Sequence, residues 1–155
     1  MKLLCGPDSV QFPSNDATAL RVVLYGQPVV ENQASAGAAA RDEILRAKLS
    51  PEPLAWDLLS LALSVVTADF AGLRDRSADG WTRQFELEVA VSDVTFWASQ
   101  ASAVESALSF LTTDIWKIRF RHGGWQPPPP RKVVRPDEDC VVLLSGGLDS
   151  LIGAI

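Results

Sequence analysis

The residues with the clearest chemical capacity are Ser145-Gly146-Gly147-Leu148-Asp149-Ser150, which follow the apolar run Cys140-Val141-Val142-Leu143-Leu144 and precede Leu151-Ile152-Gly153-Ala154-Ile155. An apolar run without alternation predicts a strand buried on both faces. Ser-Gly-Gly predicts an abrupt turn, and residues from Ser150 onward can open a helix. Strand, glycine turn and helix together bind phosphates at the carboxyl edge of a parallel sheet. Glycines let the backbone come close to the ligand, successive amide N–H groups form an anion-binding concavity, and the helix N-terminus adds positive potential. Neither GxxxxGK[ST] nor GxGxxG occurs here, so this is neither a Walker A loop nor a dinucleotide fingerprint. The bland alternative is a plain turn followed by Asp149-Ser150 as a helix cap.

SGGxDS is the PP-loop signature of the ATP pyrophosphatases, and this stretch resembles it at all five fixed positions. At ordinary residue frequencies a chance match over this length is expected roughly once in ten thousand. The wider segment, CVVLLSGGLDSLIGAI, is similar to the opening strand, loop and helix of the 7-cyano-7-deazaguanine synthases, the QueC family. Asparagine synthetases also carry SGGLDS, behind a glutamine amidotransferase domain with a catalytic Cys next to the initiator Met. Here position 2 is Lys2, and the preceding sequence is short for that domain. An extra N-terminal domain before a QueC-like loop resembles the QueC-like component of Qat anti-phage systems, QatC. The Trp81-Thr82-Arg83 strand, the helix exit Phe110-Leu111-Thr112-Thr113-Asp114-Ile115-Trp116 and a long linker add to that likeness.

The resemblance implies an α/β PP-loop domain of the adenine nucleotide alpha-hydrolase-like kind, with ATP and Mg²⁺ as cofactors. The residues it places around ATP are Leu144, Ser145, Gly146, Gly147, Leu148, Asp149, Ser150 and Leu151. Ser145 and the backbone of Gly146 and Gly147 would hold the leaving pyrophosphate, stabilising negative charge as it develops. Ser150 would offer its hydroxyl and N–H to a phosphate oxygen. Asp149, repelled by a bare triphosphate, would order the loop through backbone N–H groups or help to place Mg²⁺. Leu151 stands where QueC enzymes usually carry Thr, a departure that touches the fine ATP contacts. The implied substrate is a carboxylated deazapurine, adenylated and then carried through an amide to a nitrile. For QatC-like relatives the implied step is amide formation, one form of it on a deazapurine attached to a partner protein from the defence operon. Ile155 lies five residues after Ser150. The expectation is a cut within a larger enzyme, with the remaining sheet, the base-recognition residues and the zinc cysteines of QueC enzymes beyond it. The 155-residue chain alone is then expected neither to bind ATP tightly nor to hydrolyse it.

Composition narrows the remaining classes. The chain has 14 Lys+Arg against 19 Asp+Glu, a net charge of −5, and is 47% hydrophobic. That share supports a packed core and argues against disorder along the whole chain. Two cysteines, Cys5 and Cys140, exclude a disulfide-rich scaffold and a closed zinc site built from cysteine. A single histidine, His122, excludes multi-histidine metal sites. The longest apolar stretch, residues 54–73, is broken by Asp57, Ser60, Ser64, Thr67 and Asp69 and makes a poor transmembrane span. The apolar run at the N-terminus is too short for a signal peptide. A cytoplasmic protein without a membrane partner is expected.

The elements that must position the loop divide at His122-Gly123-Gly124-Trp125-Gln126 and the four prolines that follow. Consecutive prolines cannot sit in a helix or a central strand and favour a stiff, extended segment. The expected organisation is an N-terminal domain over residues 1–122, a Pro-rich linker over 123–138, and the start of the PP-loop domain over 139–155. Within the first domain, residues 19–25 are β-rich and end at Gly26, and residues 33–48 read as a loop with a short helix. Ser50 as N-cap with Pro51 at the first position predicts a helix over 51–71. Its polar residues Asp57, Ser60, Ser64 and Thr67 form one narrow stripe, so most of its surface is expected to be buried. Residues 81–91 alternate, with Trp81, Arg83, Phe85, Leu87, Val89 and Val91 on one face. A second helix over 94–111 carries the seam Trp97, Ala101, Val104, Leu108, Leu111, and residues 115–121 form a strand with Trp116, Ile118 and Phe120 on one face. The sum is an α+β domain of two helices on a small mixed sheet.

Four further features invite a role. Lys117, Arg119 and Arg121 share a strand face and either bind nucleic acid or pair across strands with Glu86 and Glu88. Trp81, Trp97 and Trp116 are expected in the core rather than as base-stacking platforms, while Trp125 is placed to anchor the linker. Cys5 and Cys140 read as buried apolar thiols and His122 as a solvated loop residue. Asp69, Arg74, Asp75 and Arg76 form a solvated helix exit or a docking patch. Two function classes follow: a QueC-like ATP-dependent enzyme in phage defence, and a protein-binding module that recruits a partner to a PP-loop domain.

Overall fold

Phe85, Leu87, Val89 and Val91 alternate with Gln84, Glu86 and Glu88, and this period of two builds the strand that organises the sheet. A computed structural model of the chain describes residues 1–12, 18–28, 33–135 and 137. The strands are β1 (Lys2–Gly6), β2 (Leu20–Leu24), β3 (Gln33–Ala36), β4 (Gln84–Val91) and β5 (Ile115–His122). The helices are α1 (Ala38–Arg46), α2 (Pro53–Ala71) and α3 (Val94–Thr112), with a single 3-10 turn at Arg74–Arg76. The five strands lie in the order β3-β2-β1-β4-β5 and every neighbouring pair is parallel. Among the described residues the sheet is therefore parallel rather than mixed, and there are three helices rather than two. Residues 139–155 lie outside the described residues, so the expected strand, loop and helix there are not described.

The central strand is β1, which sequence reading passed over. Its apolar stretch is short because it supplies two faces at once: Leu3 and Cys5 enter the helix-covered core, while Leu4 is buried on the opposite face. The Met1 ammonium donates to the Gln84 carbonyl at 2.6 Å, and the Glu86 amide donates to the Met1 carbonyl at 2.9 Å. The N-terminal residue is thus locked to a strand more than eighty positions away. Register places Leu20, Val22, Leu3, Cys5, Leu87, Val89, Ile118 and Phe120 on one face. Trp56, Leu61 and Ala68 of α2 and Trp97 of α3 join that face in one core, so both long helices cover the same side.

The helix α2 begins at Pro53, with extended Glu52 as its cap, not at Pro51. A residue before proline is pushed out of helical geometry, so Glu52 cannot be a helical residue. More consequential is its orientation. The polar stripe faces the sheet: Asp57, Ser60 and Ser64 are fully buried, while Leu54, Leu58, Val66 and Phe70 are exposed. Small size decides this. Ser60 donates to Trp56 O at 2.8 Å and Ser64 to Ser60 O at 2.7 Å, so the hydroxyls are satisfied within the helix and lie flat. The seam of α3 is anchored by buried Trp97, but Leu111 at its end is exposed, as is Trp81, which precedes β4 instead of belonging to it.

The proline segment does not hang free. The Gly123 amide donates to Val91 O at 3.2 Å, and the Val134 amide donates to Lys48 O at 3.0 Å. Between them Trp125 packs on Tyr25 with ring centroids 5.5 Å apart, as its anchoring reading predicts. Pro127 to Pro130 close a cavity of about 170 Å³ against Leu45, Leu49 and Trp56. This strap passes Ser92 so closely that a Cβ on Gly124 would lie 2.4 Å from the Ser92 amide nitrogen. Gly124→Ala is expected to lift the strap while leaving the sheet intact. Tryptic cleavage at Arg131 and Lys132 should accelerate about tenfold or more, with unchanged far-UV circular dichroism.

Candidate functional site

In parallel sheets, ligands bind beyond the carboxyl ends of the strands, where the strand order reverses. Here that place lies between β1 and β4, beyond Gly6 and Val91. It is occupied by the chain itself. The fully buried Asp57 carboxylate accepts hydrogen bonds from the Ser92 amide at 2.8 Å, the Ser92 hydroxyl at 2.6 Å, the Asp93 amide at 3.3 Å and Trp97 Nε1 at 3.1 Å. Gly124 lies directly on this cluster, and a Cβ there would come within 2.7 Å of Asp57 Oδ1. Tyr25 donates to or accepts from Ser60 Oγ at 2.9 Å, and burial pushes its phenol up to about 12. Burial likewise pushes the Cys5 thiol up to about 11, against the opposing influence of Ser64 and Arg21, so it is a packed and unreactive group as its sequence reading holds. The Asp57 cluster is a buried joint of α2, β4, α3 and the strap. A depression of about 570 Å³ remains beside it, lined by Pro53, Ser92, Asp93, His122 and Gln126, with His122 exposed at the end of β5.

At the opposite edge, the exit of α2 carries an ion network centred on Arg83, while Asp69, Asp75 and Arg76 remain exposed to solvent as a solvated exit predicts. Buried Asp114 accepts from Arg83 Nη2 at 2.6 Å, Arg83 Nε at 3.1 Å, the Arg83 amide at 2.9 Å and Arg74 Nη1 at 3.2 Å. Arg83 also reaches Asp69 Oδ1 at 2.6 Å and the carbonyls of Asp69 and Gly72. Burial alone would push the Asp114 carboxyl up, but the hydrogen bonds and charge of Arg83, joined by Arg74, outweigh it and hold it below its ordinary value. The hydrogen bond to Asp114 holds the Arg83 guanidinium above its own ordinary value. Both oxygens of the buried Asp114 carboxylate have partners, which marks the network as structural. Sequence reading missed its centre. The available signal was an arginine in phase with Phe85 and Leu87 on an apolar strand face.

On the basic face of β5 one of the three side chains, Arg121, forms a cross-strand ion pair. Parallel register sets Lys117 beside Glu86 and Arg119 beside Glu88. Arg121 Nε lies 2.9 Å from Glu88 Oε1, and its guanidinium stacks over Phe12 at 4.6 Å. Arg21 stacks on the same ring at 4.3 Å and donates to the carbonyls of Leu4, Pro7, Val10 and Val22. Burial lowers the Arg21 guanidinium from its ordinary value. These arginines tie down the segment after β1.

None of the residues expected to hold ATP is among the described residues: Leu144, Ser145, Gly146, Gly147, Leu148, Asp149, Ser150 and Leu151 all lie outside them, as does Cys140. Among the described residues no group of three His, Cys, Asp or Glu side chains could hold a metal ion. The helix α2 is long and apolar enough to cross a membrane by length and composition; here its polar stripe lies against the sheet. No family model, no curated protein and no solved structure matches this chain. The functional reading therefore rests on the residues themselves.

Proposed function

We propose that the chain takes part in the ATP-dependent activation of a carboxylated deazapurine in the cytoplasm, with residues 144–151 as a QueC-like PP-loop. The observation that carries this reading is Ser145-Gly146-Gly147-Leu148-Asp149-Ser150 directly after an unbroken apolar run. In this reading a carboxylate oxygen of the substrate attacks the α-phosphorus of ATP. The bond from that phosphorus to the bridging oxygen breaks, and pyrophosphate leaves with its charge held by Ser145 and the amides of Gly146 and Gly147. An amine then attacks the acyl adenylate, AMP departs with the electron pair, and an amide forms. Dehydration of that amide would give the nitrile of QueC enzymes. The setting in anti-phage defence rests on the likeness to QatC.

The test is substrate-dependent exchange of labelled pyrophosphate into ATP by the native gene product with 7-carboxy-7-deazaguanine. Exchange is expected to fall about 100-fold in Ser145→Ala, the magnitude of losing one donor to a developing anion, and to vanish in Gly147→Val. A correctly folded gene product without exchange would overturn the enzymatic reading. A second reading, a module that recruits a partner protein, is favoured by the apolar residues that α2 and α3 expose.

A further inference from the structure

Among the described residues the sheet ends at β3 on one side and at β5 on the other. Such edges present unpaired amides and carbonyls to any further strand. β3 has four residues, Gln33-Ala34-Ser35-Ala36, and is a short template. β5 has eight, and Ile115, Trp116, Ile118 and Phe120 are of the types that strands favour. Its amides alternate in direction. The Ile115 amide donates to Arg83 O at 2.9 Å and the Gly123 amide to Val91 O. The odd-numbered amides between them therefore face β4, while those of Trp116, Ile118, Phe120 and His122 face outward. One of these four is taken: the Ile118 amide donates to Glu105 Oε1 at 2.7 Å. Glu105 is half-buried, and it is the one charged side chain among the 19 residues of α3, the helix that packs along β5.

We propose that Glu105 guards the outer edge of β5 against the addition of a further strand. An incoming strand must bring a carbonyl oxygen to the Ile118 amide. The carboxylate already holds that amide in a short, charge-assisted hydrogen bond, and its negative charge repels the carbonyl oxygen. The side chains form a second barrier. Lys117 and Arg119 are exposed on the polar face of β5. Two β5 strands paired antiparallel about Ile118 would set Lys117 of each chain opposite Arg119 of the other, and like charges directly opposed are destabilising. The carboxylate thus rejects any strand, and the cations reject a second copy of this one. The inference does not depend on the proposed enzymatic reading, because amide exchange in β5 and pyrophosphate exchange into ATP are read separately.

Amide hydrogen exchange on the full chain tests it, with sedimentation alongside. Corrected for intrinsic rates, the native Ile118 amide should exchange at least about tenfold more slowly than the outward amides of Trp116 and Phe120. Glu105→Ala should erase that difference, and Glu105→Gln, which keeps an acceptor oxygen, should preserve most of it. Alanine favours a helix, so the circular dichroism of dilute Glu105→Ala should match the native protein. In about 1 M salt the Debye length falls to about 3 Å and the cations no longer repel. There Glu105→Ala should associate with a dissociation constant at least about 100-fold below that of the native chain, because a two-fold contact no longer breaks two charge-assisted bonds. The Trp116 and Phe120 amides should become protected as it does. A Glu105→Ala chain that stays monomeric at about 100 μM in that salt would overturn the proposal, and a variant that is merely less stable would show a tie between α3 and β5 and nothing more. Association that leaves those two amides fast would overturn it as well. So would native Trp116 and Phe120 amides as protected as those facing β4, since the edge would then already be covered.

Discussion

Replacing Arg83 by methionine should lower the unfolding free energy by about 3–5 kcal/mol, the cost of leaving one member of a buried ion pair without its partner. Methionine roughly keeps the volume of the arginine stem, so the loss reports the stranded Asp114 carboxylate more than a cavity. Urea denaturation gives the magnitude, and adding Asp114→Leu should recover a large part of it, because an apolar pair of similar volume avoids the desolvation penalty. A destabilisation that simply adds in the double variant would refute the pairing. The same network sets the response to acid. The folded Asp114 carboxyl is held below its ordinary value. Its contribution to stability is therefore fully present above the unfolded value, near 3.9, and is lost as pH falls through the folded one. In Arg83→Met the opposing burial is no longer outweighed, and the acid limb of the stability curve should move to higher pH.

Asp57→Ala should cost about 2–4 kcal/mol, since it strands donors that a neutral, smaller side chain cannot satisfy. Its signature is spatial. Asp57 is the single point where α2, the Ser92-Asp93 turn that opens α3, Trp97 and the overlying Gly124 meet. The variant should therefore increase amide hydrogen exchange at the start of α3 and in the strap together, while β1 and β2 keep their protection. Exchange that rises uniformly over the domain would show that Asp57 contributes only to global stability. Asp57→Asn retains one acceptor oxygen and should fall between the variant and the native protein.

Both residues show which parts of the fold are legible in sequence. The alternation of β4 and β5 is plain because one face of each strand is polar: Glu86, Glu88, Lys117 and Arg119 mark the outside. The β1 strand is obscure for the opposite reason, since Leu3, Leu4 and Cys5 are buried in succession and show no period. In α2 polarity does not mark exposure. Ser60 and Ser64 are polar yet small and self-satisfied, and they let the helix approach the sheet where leucine could not. Parallel pairing was illegible because no local signal sets strand direction once the connections are long. The candidate phosphate loop is the reverse case. Its motif is a run of adjacent residues and is visible in residue order alone, whereas the ion network around Asp114 needs three distant segments brought together before it exists.

The locked N-terminus has a kinetic consequence. Strand β1 is complete before any other, but its partner β4 begins at Gln84, and β1 must pair with it across the whole of α1 and α2. At a synthesis rate of roughly 5–20 residues per second, the first strand waits several seconds for its neighbour. Closing so long a loop is slow and its entropy is recovered only when the pair forms. Until then Leu3, Leu4 and Cys5 have a strand on one side at most. Strand β1 is therefore among the last of the described strands to gain both of its neighbours, and a chaperone that shields its open edge would have most to protect here.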